Sequence, residues 1–194
     1  MVIFPHICVQ ANPEIQYKTF WFKGSKIHYI ETNATRISVA FTLKGYNSGI
    51  NCSYFNLNTF KTVPVGVYNR PFILLKKDGT VKISDEKTDL VEYNQVASGG
   101  SWLVKNGVPY TTSDHFGKAF RNAVVRRTCV GIDKDGKIYL VVIPKANFNK
   151  ATRVMQALHC EFAINMDGGT SSTLKHNGKM IITGRRVANY LVVN

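Results

Sequence analysis

The chain has 194 residues, of which 44% are hydrophobic and 19% are charged, a composition typical of one globular domain with a sizeable core. No apolar run approaches the roughly 18 residues that a membrane span needs, and residues 1–6 lack the basic and apolar regions of a signal peptide. The formal net charge of +13 favours polyanionic partners, although most of the lysines are expected to form a solvated face.

These features bear on where the protein acts. Without a signal peptide we expect a cytoplasmic protein, or one released by another route, for instance within a virion. A phage or bacterial origin would suit the small, Lys- and Asn-rich chain. The sequence predicts no membrane span and no specific nucleic-acid partner.

Strand-like segments dominate the chain from its N-terminal part onward. Alternating or continuous apolar runs predict strands within residues 21–30, 36–41, 72–83, 131–142 and 173–182. Hairpin turns are predicted where glycine follows or precedes a polar residue between two such runs, at Gly24-Ser25, Asp78-Gly79, Asp135-Gly136 and Asn177-Gly178.

One helix stands out against this strand-rich background. Ala151, Val154, Met155, Leu158 and Phe162 recur at helical spacing, and Asn147 or Asn149 can cap the helix start. A second, shorter helix is predicted near residues 114–120. The fold class is therefore α+β, a largely antiparallel β-sheet with few helices, in a single domain over residues 19–194 that follows a lead-in over residues 1–18.

The segment Asn165-Met166-Asp167-Gly168-Gly169-Thr170-Ser171-Ser172-Thr173 carries the clearest chemical signal. The predicted helix runs into a buried strand over residues 162–166 that presents Asp167 at its end, beside two glycines and several hydroxyls. Glycine lets the backbone come close to a ligand, and exposed N–H and hydroxyl groups bind anionic or polyhydroxy molecules. The plain alternative is a strand–turn–strand connection, because Asp-Gly is common in hairpins.

Five segments together resemble the phosphodiester glycosidase family. Residues 165–173 are similar to its Asn-Leu-Asp-Gly-Gly-Gly-Ser-Ser-Thr signature, and residues 49–55 to its Gly-Val-Asn-Gly-Gly-Phe-Phe. Three further segments match in order: residues 97–107, residues 127–133 and residues 186–189. The chain departs from the family at Cys52-Ser53, which replace Gly-Gly, and at Thr170, which replaces the third glycine of the signature.

The resemblance implies hydrolysis of a sugar-1-phosphodiester, of the N-acetylglucosamine-1-phosphodiester kind, at the anomeric carbon. Asp167 would activate water or act as the nucleophile, and no cofactor is implied. The substrate would be a phosphorylated glycan or a sugar nucleotide. Arginines would hold the phosphate and polar groups would bind the sugar, which gives the set Asn51, Arg127, Asn165, Gly168, Gly169, Ser171, Ser172, Thr173 and Arg186, with Arg185 as a substitute for Arg186.

Elimination among the 12 acidic residues also favours Asp167. Asp78, Asp133 and Asp135 lie in predicted turns, and Glu161 belongs to the predicted helix end. One carboxylate is a thin ligand set for a cation, so we predict no metal site, and the five histidines are isolated in the sequence. Trp102 is a core residue or a platform for a sugar ring.

The four cysteines are Cys8, Cys52, Cys129 and Cys160, and their spacing matches no metal site. We expect free thiols. Cys52 lies within a motif segment, where a buried packing role is favoured over a nucleophilic one.

Two other functions remain open. The replaced glycines favour a module that binds a phosphorylated glycan or nucleotide without turnover. The charge of +13 favours a nucleic-acid binder, although that function leaves the five ordered motifs unexplained.

Overall fold

A computed structural model of the chain describes residues 15–33, 37–65, 70–87, 89, 93–110 and 116–193. Two α-helices lie within these residues, α1 (Lys118–Asn122) and α2 (Phe148–Ala157). The remaining regular structure consists of a 3₁₀ turn (Gly169–Ser171) and the strands β1 (Gln16–Phe22), β2 (Ser25–Thr32), β3 (Ile37–Ala40), β4 (Ser48–Asn51), β5 (Phe72–Leu75), β6 (Val81–Ser84), β7 (Gln95–Ser98), β8 (Ser101–Lys105), β9 (Val108–Pro109), β10 (Val125–Asp133), β11 (Ile138–Ala146), β12 (Cys160–Asn165), β13 (Leu174–His176), β14 (Lys179–Ile182) and β15 (Tyr190–Val193).

The strands form three sheets in which the paired neighbours run antiparallel. The largest has the order β1-β2-β11-β10-β12-β8-β9, the second β14-β13-β4-β15-β3 and the third β6-β5-β7. The prediction of a largely antiparallel β fold with few helices is thereby confirmed. The α+β label fits only loosely, because the sheets dominate and α2 is the one helix of more than five residues within the described chain.

The hairpin turns lie close to their predicted positions. Asn177 and Gly178 both have positive φ, 47° and 75°, as a two-residue turn of right-handed twist requires. The first hairpin turns at Lys23-Gly24, with φ of 45° and 71°, one residue before the predicted Gly24-Ser25. Asn in one turn and Gly in both tolerate this left-handed conformation, and the local sequence therefore determines these turns.

Helix α2 begins as predicted, with the Asn147 side chain accepting a hydrogen bond from the Lys150 N–H at 2.9 Å. It ends at Ala157, and His159 then takes a left-handed conformation with φ of 56°. Phe162 lies beyond the helix, in β12, which confirms the strand predicted over residues 162–166 after the helix. Of the predicted short helix, residues 111–115 lie outside the described part, and α1 begins at Lys118.

Two apolar clusters occupy the two faces of the largest sheet. One lies between the three sheets and includes Val130, Ile164 and Ile50. The other lies beneath α2 and includes Cys129 and Met155. Because side chains alternate along β10 and β12, these strands contribute to both clusters and are buried on both faces.

Trp102 and the three described cysteines are buried. Trp102 is 3% exposed, and its indole N–H donates to Asp85 at 2.9 Å, so Trp102 is a core residue. Cys52, Cys129 and Cys160 are free and buried, while Cys8 lies outside the described residues. Residues 1–14 also lie outside, so the lead-in stays a prediction there, whereas residues 16–18 of the predicted lead-in lie in β1. No described helix is long and apolar enough to cross a membrane.

Candidate active site

Asp167 lies where the chain leaves the largest sheet and crosses to the second one. The Met166 N–H donates to the Thr128 carbonyl of β10 at 2.8 Å, and the next N–H, that of Asp167, donates to the Cys52 carbonyl after β4 at 3.1 Å. These two bonds tie the end of β12 to both sheets. The position of the Asp167 carboxylate is therefore set by rigid elements on either side.

The glycines after Asp167 allow the chain to turn back closely. A Cβ atom on Gly168 would lie 2.8 Å from the Arg126 carbonyl oxygen, so only glycine fits there. Gly169 has φ of 62° and begins the 3₁₀ turn. The predicted close approach is thus to the protein's own backbone, and the Gly168 N–H donates to Asp167 Oδ1 at 3.0 Å.

The Asp167 carboxyl is 8% exposed, and burial raises its pKa above the ordinary range. The neighbouring Ser171 hydroxyl, the positive charge of Arg185 and the Gly168 N–H oppose this rise only in part. Oδ2 is buried, and no donor in the described chain meets it with hydrogen-bond geometry. A buried carboxyl with one unpartnered oxygen and a raised pKa is a stronger base than an exposed one, which suits proton transfer.

Asn51 is fully buried and connects three segments around Asp167. Its Nδ2 donates to the Asp167 backbone carbonyl at 2.6 Å, while its Oδ1 accepts from the Thr128 hydroxyl and the Thr173 N–H, each at 2.9 Å. The predicted role in substrate binding does not fit this placement, because both ends of the amide are occupied by the protein. Asn51 positions the loop instead.

Three residues of the signature that carry hydroxyls, Ser171, Ser172 and Thr173, are buried. Ser172 shares a 3.0 Å hydrogen bond with Thr128, and the Thr173 hydroxyl donates to the Ser171 carbonyl at 3.1 Å. Ser171, although buried, accepts a 2.9 Å bond from Arg185 Nε. Of these three predicted ligands, Ser171 alone connects Asp167 to the protein surface.

The buried Asn165 and the half-buried Tyr54 form a pair beside Asp167. Asn165 Nδ2 donates to the Tyr54 hydroxyl at 2.6 Å and to the Met166 carbonyl at 2.7 Å. Burial and the negative charge of Asp167 raise the pKa of Tyr54 well above its usual range. Tyr54 belongs to the motif of residues 49–55 but had no predicted role. Its position beside Asp167 is visible only in three dimensions.

The Arg127 side chain lies on the opposite face of β10 from Thr128 and points away from the loop after Asp167, although the Arg127 backbone lies beside Gly168. Its guanidinium donates to three backbone carbonyls, at 2.8 to 3.1 Å, and lies over the rings of Phe120 and Phe148. With 1% exposure it is a structural arginine, and the predicted phosphate-binding role does not fit. The alternation of side chains along β10 is the cause.

The side chain of Arg185, which was predicted as the substitute for Arg186, reaches the loop after Asp167. Its backbone N–H donates to the Thr170 carbonyl at 2.7 Å, and its side chain bonds Ser171. An open depression of about 460 Å³ lies here, which we call the Arg185 hollow. Its lining includes Arg126, Gly169, Thr170, Thr183, Gly184 and Arg185.

The residues that depart from the family pattern lie in different places: Cys52 and Ser53 are buried, and Thr170 is exposed. Cys52 packs in the core, where burial raises the pKa of its thiol to about 12, so the thiol is protonated and not nucleophilic. Ser53 is bonded by Asn189, whose Oδ1 accepts from the Ser53 N–H at 2.9 Å. The Thr170 side chain is exposed and lines the hollow.

A second groove, of about 440 Å³, lies near the start of β12 and is lined by Trp102, Asp133 and Glu161 among others. Six residues at about 3.3 Å each place Glu161 roughly 20 Å along the strand from Asp167. Paired carboxylates of glycosidases are about 5 to 10 Å apart, so Glu161 is not the partner of Asp167. Among the described residues, no group of three or more His, Cys, Asp or Glu could hold a metal ion.

The geometry thus defines a buried acid beside an arginine-lined surface on a β-sheet scaffold. The family model for phosphodiester glycosidases matches residues 58–194, and the chain belongs to this family. The search of curated proteins found no match.

Solved structures share the fold. A zebrafish N-acetylglucosamine-1-phosphodiester α-N-acetylglucosaminidase catalytic domain, auto-inhibited by its pro-peptide, is 20% identical with a TM-score of 0.72, over 94% of this chain and 83% of that one. A hypothetical protein from Synechocystis is 13% identical with a TM-score of 0.74, over 92% of this chain and 61% of that one, so this chain spans less than two thirds of its length. A putative exported protein from Burkholderia pseudomallei is 13% identical with a TM-score of 0.56, over 87% and 74%.

Proposed function

We propose that the protein hydrolyses a sugar-1-phosphodiester, of the N-acetylglucosamine-1-phosphodiester kind, at the anomeric carbon. The observation that carries the proposal is Asp167, a buried carboxyl with a raised pKa that is connected through Ser171 to Arg185. Family membership supports the reaction class.

In this reaction Asp167 is the base, and the arginines bind the phosphate. Asp167 takes a proton from a water molecule, whose oxygen bonds to the anomeric carbon. The bond from that carbon to the phosphate oxygen breaks, and the phosphomonoester leaves with the electron pair. Arg185 and Arg186, on consecutive positions of the loop after β14, balance the phosphate charge through forked hydrogen bonds.

One carboxylate is enough for this leaving group. Ordinary glycosidases use a second carboxylic acid to protonate an alkoxide as it leaves. A phosphate oxygen is far less basic and needs charge stabilisation instead. Positive groups therefore replace the acid, and the net charge of +13 favours capture of such an anionic substrate.

A binding module without turnover is the second candidate. It is favoured by the enclosure of Asp167 Oδ2, which has almost no exposed surface, and by Thr170, whose side chain stands in the Arg185 hollow. Substrate must reach the carboxylate past both. A module of this kind would bind phosphorylated glycans or nucleotides at the hollow without hydrolysing them.

The test is release of free sugar from UDP-N-acetylglucosamine and from N-acetylglucosamine-1-phosphomethyl-mannoside. We expect release by the wild type and a loss of about 10²- to 10⁴-fold in Asp167→Asn. Arg185→Ala should also lose activity, whereas Arg153→Ala, an exposed arginine of α2, is the matched control and should not. Undiminished turnover by Asp167→Asn would contradict the mechanism, and binding without release by the wild type would favour the module.

The cellular location stays a prediction.

A further inference from the structure

An exposed cluster of phenylalanines and cations lies beside the Arg185 hollow. We call it the aromatic patch and define it by Phe41, Phe55, Phe60, Lys61 and Arg186. The Phe41 side chain is 83% exposed and that of Phe60 is 41% exposed. With the exception of Phe55, these residues line a depression of about 430 Å³. Large apolar side chains grouped at the surface mark binding sites more often than singly scattered ones do.

The rings and cations are already arranged as a stack. Phe55 and Phe60 are parallel within 24°, with centroids 5.5 Å apart. The Arg186 guanidinium lies 5.1 Å from the Phe60 centroid, and that of Arg185 lies 5.6 Å from the Phe55 centroid. Two stacked rings are therefore flanked by a planar positive group at each end.

The backbone of Phe60 is held in an unfavourable conformation. Its φ is 55°, in the left-handed region that bulky residues avoid, and its N–H donates to the Asn56 carbonyl at 2.8 Å. Glycine or asparagine would occupy this position without the same steric cost. A strained residue that presents an aromatic ring to solvent contributes little to the core, and such strain is concentrated at functional sites.

The aromatic patch is continuous with the candidate active site. Arg185 bonds Ser171 on one side and lies over Phe55 on the other, and Ser171 neighbours Asp167. A substrate whose anomeric carbon is at Asp167 would place its phosphate near Arg185. The group on the far side of the phosphate would then extend over Phe55 and Phe60.

We propose that the aromatic patch binds the leaving-group half of the substrate and that this half is a nucleoside phosphate. The inference rests on the proposed function, which it extends to the substrate class of a sugar nucleotide. A nucleobase is planar and stacks on phenylalanine, while Lys61 and Arg186 supply positive charge for phosphate oxygens. Both faces of a nucleobase are flat and can stack on an aromatic ring, whereas a sugar ring is puckered and carries hydroxyls, so the patch favours a base over a glycan.

The experiment measures binding by calorimetry with UMP, AMP and mannose 6-phosphate, which all present a phosphomonoester. We expect both nucleotides to bind at least tenfold more tightly than mannose 6-phosphate. Phe60→Gly removes the ring and relieves the backbone strain, so it should fold normally and weaken nucleotide binding about 10- to 100-fold. Phe41→Ser, at a side chain too exposed to support the fold, should weaken nucleotide binding as well.

Controls separate this inference from the proposed function. Trp21→Ala removes another exposed ring, on edge strand β1, and should leave nucleotide binding unchanged. Asp167→Asn should bind nucleotides normally while losing turnover. Equal affinity for mannose 6-phosphate and UMP, or full nucleotide affinity in Phe60→Gly, would overturn the nucleotide assignment even if sugar release is observed. Selective nucleotide binding by a protein that releases no sugar would overturn the proposed function and retain the patch as a nucleotide site.

Discussion

Replacement of Asn51 should damage the fold rather than substrate affinity alone. In Asn51→Ala, the Asp167 carbonyl loses a 2.6 Å donor and the Thr173 N–H loses its 2.9 Å acceptor. The Thr128 hydroxyl retains Ser172 as a partner at 3.0 Å. Water does not easily replace the lost partners, because Asn51 is fully buried.

The structure allows an order of magnitude for this effect. Each buried group left without a partner costs about 1 to 3 kcal/mol, and the lost bond to the hydroxyl adds about 1 kcal/mol. The free energy of unfolding should therefore fall by roughly 3 to 7 kcal/mol in Asn51→Ala. For a chain of this length the melting temperature should fall by roughly 6 to 28 °C, at about 2 to 4 °C per kcal/mol.

Urea unfolding at pH 7, followed by tryptophan fluorescence, measures this loss. Asn58→Ala is the control, because Asn58 lies in an exposed turn, and its stability should change by less than about 0.5 kcal/mol. In Asn51→Asp the side chain still accepts both hydrogen bonds but donates to the Asp167 carbonyl only when it is protonated. Acidification should therefore reduce the difference in free energy of unfolding between this variant and the wild type. A loss below about 1 kcal/mol in Asn51→Ala, accompanied by lost substrate binding, would refute the positioning role and restore Asn51 as a ligand.

Three further predictions concern Asp167, Arg127 and Gly184. The folded-state pKa of Asp167 is raised, so its favourable contribution is complete below the unfolded pKa of about 3.9 and is lost as pH rises through the folded value. Asp167→Asn should then be at least as stable as the wild type at pH 7, with its relative advantage smaller at pH 4 in urea titrations. A larger advantage at pH 4 would contradict the raised pKa. Arg127→Ala should lower the free energy of unfolding by more than about 3 kcal/mol, because three carbonyls lose a charged donor, and should leave phosphate affinity per folded molecule unchanged. Gly184→Ala places a Cβ 2.5 Å from the Thr173 hydroxyl and should reduce sugar release at least tenfold, whereas Gly117→Ala meets no atom within 4 Å and should be silent.

Local features of the fold were predictable because short-range chemistry determines them. The turn at Asn177-Gly178 and the start of α2 at Asn147 depend on residues within a few positions of one another. The apolar period of α2 extends to Phe162, which was also predicted to begin a strand and does lie in β12. A periodic pattern does not distinguish a helix from a buried strand that follows it.

The polar residues of the motifs fall into two groups. Asp167 and the loop after it were predicted as the site, and Asp167 is a buried carboxyl with a raised pKa. Asn51 and Arg127 were predicted as ligands, yet both direct their polar groups to backbone partners. A motif residue can be required for the shape of a site without touching the substrate, and the motif itself does not distinguish the two.

By itself the sequence determined the family, the antiparallel and strand-rich character of the fold, and Asp167 as the candidate acid. These follow from ordered motifs, turn chemistry and a single carboxylate in a glycine-rich loop. Only the tertiary structure decided that Arg185, rather than Arg127, approaches that loop and that Phe55 and Phe60 stack beside it. The physical reason is that strand pairing and side-chain alternation determine which face each residue occupies, and pairings between distant segments are not encoded in any local pattern.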